Sequence, residues 1–360
     1  MKKVFAVTAA IMLLCMVGGS AFAGWTVVNL HPAGATSSQA VGVSGDQQVG
    51  YAYVGDNDHA GLWSGTAGSW VDLNPAGATS SYASGVSSAK QVGSAYIGGV
   101  YHAGLWSGTA ASWVDLNPAG ATSSEANRVS GGQQVGEADG HAGLWSGSAA
   151  TWVDLHPAGA ELSQAIGISG GQQVGAARIG GTRHASLWSG TAASWVDLNP
   201  AGATWSYAYG VSGGQQAGEA RIGGNDHASL WSGTAGSWVD LHPAGATESW
   251  AWDISGSQQV GSATIGGNEH ASLWNGTAGS WVDLHALLPT GVYPRSEAVS
   301  IHVSAGETWV AGRVYTSTDQ DETTEAMLWH YTADPVPEPS SLVALAGGLA
   351  SLLAFRRRRA

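Results

Sequence analysis

Six histidines are each followed thirteen residues later by an aspartate: His59/Asp72, His102/Asp115, His141/Asp154, His184/Asp197, His227/Asp240 and His270/Asp283. Imidazole and carboxylate exchange protons readily near neutral pH, so one such couple beside a tryptophan pair would suggest a general-base dyad. Six near-identical copies argue the other way. An active site in a repeating chain breaks the repeat, whereas a structural tie is copied with it. The couples are therefore expected to be structural, a polar tie inside each repeat.

Other residues do break the repeat. Trp205, Tyr207 and Tyr209, then Trp250 and Trp252, stand where other copies have Ser, Gln, Val or Asn. Amphipathic rings with a polar edge stack well on sugars, which makes these five candidate carbohydrate-binding residues. The competing expectation is that they only fill two inner strands. Arg178, Arg183 and Arg221 form the main basic cluster, suited to acidic sugars or to simple charge balance. Asp56 and Asp58, and the acidic run Asp319, Asp321 and Glu322, have the oxygen ligands calcium takes, but no EF-hand spacing accompanies them. No other cofactor and no metal site is expected. Nucleophile-elbow, zinc-protease and phosphate-loop motifs are absent. The expectation is a non-catalytic protein. The alternative is a glycosidase or lyase, because two carboxylates flanking a sugar need no linear motif.

These residues sit in a chain of repeats. A proline follows each WVDL-like segment at Pro32, Pro75, Pro118, Pro157, Pro200 and Pro243, with Ala286 in the seventh place. The spacing is 43 residues at every step but one, which is 39. Each period holds four short segments separated by turn residues, for example Ser81–Val86, Gln91–Ile97, His102–Trp106 and Trp113–Leu116. Their length and their apolar and aromatic content predict strands, and no sustained helical period appears. Four strands in about 43 residues is the pattern of a β-propeller blade.

The ends separate this from a solenoid. The body begins with a lone outer-type segment, Trp25–Leu30, and finishes with the three inner types, Ala298–Val303, Thr308–Val314 and Ala326–Tyr331. Only ring closure gives the orphans each other. The fold expected for residues 24–331 is therefore all-β, a seven-bladed propeller whose N-terminal strand completes the last blade. Within a blade, Trp63 and Trp70 should face each other across their loop, with His59 and Asp72 diagonal on the same face. In the closing blade Asn29 replaces the aspartate and Glu325 the histidine. An aspartate would repel that glutamate, while an amide can donate to it. The ties resemble the Asp–His–Ser–Trp ties of WD-repeat propellers, with Ser186, Ser229 and Ser272 between the pair members.

The two termini carry addresses. Lys2 and Lys3, an apolar run and Ala21-Phe22-Ala23 predict a signal peptide over residues 1–23. The only cysteine, Cys15, falls inside it, so the exported chain has no thiol chemistry. A linker over 332–340 holds Pro337, Glu338 and Pro339. An apolar stretch follows, then Arg356, Arg357, Arg358 and Arg359, so residues 341–360 read as a transmembrane segment with a basic cytoplasmic end. This tail closely resembles the PEP-CTERM sorting signal of Gram-negative bacteria. The resemblance implies an exosortase as processing partner, removal of the tail, and delivery to the cell surface or an exopolysaccharide matrix, with exopolysaccharide as a possible ligand. The HAxLW core resembles the HAF-type extracellular repeats found before such tails, although Gly or Ser stands here in place of Phe. Without the leader and the terminal arginines, seven basic residues face 26 acidic ones, a balance of −19. Such a surface repels nucleic acid phosphates, and nucleic-acid binding is excluded.

Overall fold

In the first blade the strands Ser37–Ser44, Gln47–Val54, Asn57–Trp63 and Val71–Asp72 pair antiparallel in that order, from the inside of the ring outward. The sequence dictates their limits. Glycine-containing two-residue turns close the first two hairpins, and a 3-10 turn at Ala67–Ser69 carries the chain from the third strand to the fourth. The outer strand is only two residues long, shorter than the Trp113–Leu116 type of segment suggests. The tryptophan ends the 3-10 turn, and Leu116, just past the strand, adds one more bond from its amide to the Ala103 carbonyl at 2.8 Å. The computed structural model describes residues 24–317 and 323–333; the leader, the acidic residues Asp319, Asp321 and Glu322, and the sorting tail lie outside the described residues.

The same four-stranded sheet recurs over residues 78–115, 124–154, 162–197, 206–240 and 249–283, blades two to six. The seventh contains Arg295–Ser304, Glu307–Tyr315 and Thr324–Thr332, and its outer strand is Trp25–Asn29. Trp25 stands opposite Tyr331, and Asn29 opposite Met327. The chain is a seven-bladed β-propeller, closed by its own N-terminal strand.

The core lies between blades. Val49, Ala60, Leu62 and Leu73 of the first blade meet Ala83, Val86 and Trp106 of the second, and the pattern repeats around the ring. At the junction of last and first, Ala311, Ala326 and Leu328 meet Leu30, Ala40, Val43 and Trp63. Seven tryptophans equivalent to Trp63 are wholly buried, and the Trp106 indole donates across the junction to the Leu73 carbonyl at 2.8 Å. Polar atoms reinforce each seam. The buried Ser81 hydroxyl accepts from the Ala60 amide (3.0 Å) and donates to Asn74 (2.7 Å). At the closing seam Ser38 accepts from Ala326 at 3.0 Å, with His31 in the asparagine's place at 2.8 Å.

Every inner strand carries a β-bulge, between Ala40 and Gly42 in the first blade. The residue after the bulge is glycine in four blades (Gly42, Gly85, Gly167 and Gly210), and a Cβ on Gly167 would lie 2.5 Å from the Tyr209 carbonyl of the next blade. Neighbouring inner strands therefore approach almost to backbone contact around the axis.

Candidate functional site

All six His/Asp couples close a hydrogen bond between Nδ1 and Oδ2. The separation is 2.8 Å for His59–Asp72, 2.7 Å for His102–Asp115 and 3.0 Å for His141–Asp154. It is 2.8 Å for His184–Asp197, and 2.9 Å for both His227–Asp240 and His270–Asp283. Each aspartate pairs in register with the residue two beyond its histidine, so the side chains meet on the diagonal. Asp72, Asp115 and Asp154 stand opposite Gly61, Gly104 and Gly143. Asp197, Asp240 and Asp283 stand opposite Ser186, Ser229 and Ser272.

The couples tie each blade together at its outer edge. Each aspartate ends the outermost strand, with no sheet beyond it, so its carboxylate stays open to water. The side chains of Asp72, Asp115 and Asp154 are 47, 47 and 50 % exposed, and those of Asp197, Asp240 and Asp283 are 39, 40 and 25 %. An ion pair so placed adds little stability by its charge alone. Its value lies in where it holds the chain. In every couple the other oxygen, Oδ1, accepts the amide two residues on, at 2.7 to 2.9 Å: Asn74, Asn117, His156, Asn199, His242 and His285 in turn. Asn29 reproduces both roles: its Oδ1 accepts from the His31 amide (2.7 Å), and its Nδ2 donates to Glu325 at 2.6 Å. The tryptophan pair packs at 4.6 Å between the centroids of Trp63 and Trp70. Where the intervening residue is glycine, a Cβ would fall inside the second tryptophan's ring. Where it is Ser186, Ser229 or Ser272, the hydroxyl instead accepts that indole N–H at 2.9 Å and donates to the histidine carbonyl. These bonds fix the outer strand, which is too short to hold by its ladder alone.

Three blades add a second histidine after the outer strand. His156, His242 and His285 stack on His141, His227 and His270, with centroids 4.0, 4.1 and 4.4 Å apart. Burial first, then the neighbouring imidazole, holds His242 and His285 below the ordinary histidine value.

The five candidate aromatics form one ladder. Trp205 meets Tyr207 edge-on at 5.8 Å, Tyr207 stacks on Tyr209 at 5.6 Å, Tyr209 meets Trp252 at 4.7 Å across the blade junction, and Trp252 stacks with Trp250 at 6.3 Å. All five are half-buried. Alternation along a strand puts residues two apart on one face, which is why Trp205, Tyr207 and Tyr209 line up. Beneath the ladder lies Glu219, 3 % exposed, accepting from the Tyr209 hydroxyl. Burial pushes its carboxyl up to about 8.

The three arginines separate in role. Arg221 pairs with Asp226 at 3.0 Å and lies over Trp205; Arg178 pairs with Glu161 at 2.9 Å. Arg183 sits over the Tyr207 ring, 5.6 Å from its centroid. A cleft of about 380 Å³ opens between the hairpin carrying Arg178, Thr182 and Arg183 and the ring faces of Trp205 and Tyr207. Of the other acidic candidates, Asp58 accepts from the Tyr82 hydroxyl at 2.8 Å, and the Asp56 carbonyl accepts from Tyr53. No group of three metal-ligating side chains occurs among the described residues.

Two groups escape a reading by motif. Glu125 and Glu137 face each other across adjoining strands of the third blade, both raised by burial, Glu137 further by Glu125. In the channel, Arg128 and Asp253 stand at the place that is glycine in four blades. Arg128 donates to the carbonyls of Ser84, Asn127 and Val41, left open by the bulges, while Asp253 accepts from Ser300 (2.7 Å) and Ile301 (3.1 Å). Aligning the repeats exposes all four as departures from the common pattern.

Comparison with known proteins adds an address and a fold. Residues 335–359 match the PEP-CTERM protein-sorting motif, which contains Pro337, Glu338, Pro339 and the four arginines. The motif implies export across the inner membrane of a Gram-negative cell and exosortase sorting to its surface. Among the described residues no helix is long and apolar enough to cross a membrane, and the transmembrane segment expected at 341–360 lies outside them. No curated protein sequence matches the chain. Among solved structures, the β-propeller domain of the Trilobed protease from Pyrococcus furiosus is similar at 10% identity and TM-score 0.50, covering 81% of this chain and 97% of that one. A puromycin hydrolase is similar at 12% identity and TM-score 0.51, covering 83% of this chain and 54% of its own. An acylaminoacyl peptidase from Pyrococcus horikoshii gives 10% identity and TM-score 0.50, with 80% and 52% covered. The chain thus spans about half the length of the last two. Likeness at these identities establishes the propeller and nothing of its chemistry; the sorting motif gives the chain's destination.

Proposed function

We propose that this chain is a surface or extracellular-matrix protein that binds exopolysaccharide through its aromatic ladder without catalysing a reaction. The sorting motif supports the location. The observation that carries the binding role is the continuity of the ladder: five half-buried rings in mutual contact over two adjacent blades, bordered by a cleft. A track of this kind suits the apolar faces of pyranose rings, with hydroxyl and indole edges for their rims. The His/Asp couples contribute to the scaffold that holds it. A glycan-binding screen of the purified chain tests the reading. Trp205→Ala combined with Trp250→Ala should weaken any sugar bound at least tenfold; unchanged affinity refutes the role of the ladder.

One observation favours a polysaccharide-cleaving enzyme instead. Glu125 and Glu137 stand opposite each other on adjoining strands, and both carboxyls are raised above the ordinary value, the direction a general acid needs. Incubation with polysaccharides, read by new reducing ends and unsaturated products, separates the two. Product release that Glu137→Gln abolishes would make the chain an enzyme.

A further inference from the structure

Arg178 and Arg183 stand directly opposite each other in the second hairpin of the fourth blade. Like charges in register repel, and the equivalent pairs elsewhere avoid this. Tyr53 faces Asp58, Tyr96 faces Tyr101, Arg221 faces Asp226, and Thr264 faces Glu269. Glu161 neutralises Arg178. Arg183 is exposed and lies over the face of Tyr207. The chain has a large acidic excess, yet among the described residues no carboxylate pairs with this guanidinium.

The surroundings have the shape of a ligand site. The two arginines are shared by two clefts: the one against Trp205 and Tyr207, and a second of about 230 Å³ toward the third blade, lined by Glu137, Leu162 and Gln164. Burial, and then the charge of Glu125, raises the carboxyl of Glu137 in that second cleft, and among the described residues it closes no ion pair with either arginine. An exposed guanidinium held over a ring face can turn its N–H fork to a carboxylate and grip it with two parallel hydrogen bonds.

We infer that the groove between the third and fifth blades binds an acidic, uronate-type sugar, its carboxylate on Arg183 and its ring against Trp205. This deepens the polysaccharide-binding reading and rests on it. The neighbouring cleft would take the adjoining sugar of a linear chain, with Arg178, held by Glu161, as the wall between subsites.

The test is calorimetric titration of the purified chain with oligogalacturonate, its carboxyl-reduced counterpart, and dextran sulfate. Oligogalacturonate should bind, more weakly as salt rises. Carboxyl reduction and Arg183→Gln should each cost at least tenfold, with the thermal midpoint of the variant unchanged because the residue is exposed. Arg183→Lys should restore only part of the loss, because an ammonium lacks the fork. Equal binding of the reduced oligomer, or indifference to Arg183→Gln, would overturn the inference and leave neutral-sugar binding by the ladder standing. Binding of dextran sulfate alone would overturn the carboxylate assignment. Binding of none of the three, with the neutral-glycan screen also blank, would sink both readings.

Discussion

Replacing Leu30 by alanine measures how the ring is held shut. Leu30 is wholly buried at the seam of the last and first blades, where its amide donates to Ala326 at 2.8 Å. Leu73 occupies the same place one blade along, equally buried, its amide on Ala60 at 2.8 Å. Truncating a buried leucine costs about 3 kcal/mol through lost transfer energy and the cavity left behind. A body of roughly 300 residues unfolds with an entropy near 0.6 kcal/mol/K, so the midpoint should fall about 5 °C. If the N-terminal strand is an integral part of the seventh blade, Leu30→Ala and Leu73→Ala should lower the midpoint equally, in one transition. Scanning calorimetry reads the midpoints, and limited proteolysis at Trp25–Asn29 reads the strand. A shift below about 1 °C for Leu30→Ala beside a full shift for Leu73→Ala, with early cleavage of the strand, would show that the strand opens on its own and that the ring does not depend on it.

Three further outcomes follow from the geometry. Ser88 and Ala89 occupy the left-handed region at φ 49° and 62°, where the third blade has Gly131 and Gly132; changing both to glycine should stabilise the protein by about 1 kcal/mol in chemical denaturation. Ser229→Ala should cost about 1–2 kcal/mol by leaving the Trp238 indole N–H unpaired, whereas the same change at exposed Ser232 should cost nothing measurable. Two groups should give opposite pH slopes. His242, held below 6.5, favours the neutral ring when folded, so its contribution is complete above that value and is lost as pH falls below it; His242→Asn, the residue of the first, second and fourth blades, should flatten the acid slope. Glu219, raised from 4.5 to about 8, favours the protonated form when folded, so its contribution is complete below 4.5 and is lost as pH rises through 8; Glu219→Gln should flatten the alkaline slope. Thermal midpoints from about pH 5 to 9 check both.

The propeller was legible because its evidence is arithmetic: a period, four segments within it, and an orphan strand at one end matching three at the other. The His/Asp couples were legible for a related reason, since strand alternation and a fixed loop length determine which side chains meet. Their exposure was not, because spacing says nothing of how short the outer strand is or of what lies beyond it. The Asn29/Glu325 exchange could be read across nearly the whole chain because both positions had the same six counterparts. Contact between blades also escaped. The contact of Tyr209 with Trp252, the Ser81-type seam bonds and the Arg128 carbonyl bonds depend on how closely inner strands approach, which the bulge and its following glycine set. Nor could composition separate Arg183 from Arg178 and Arg221. All three lie in similar words, and only the register of the hairpins shows which of them faces an acid.

The brevity of the outer strands has a consequence for a molecule sent to a crowded cell surface. Unpaired backbone at a sheet margin is a template on which other chains can polymerise, and very short margins remove it. Six blades end in two-residue margins such as Val71–Asp72, while the seventh ends in five, Trp25–Asn29. The perimeter of the disc is thus inert to fibre growth nearly all the way round, and an added strand from a neighbouring molecule has one docking margin of useful length.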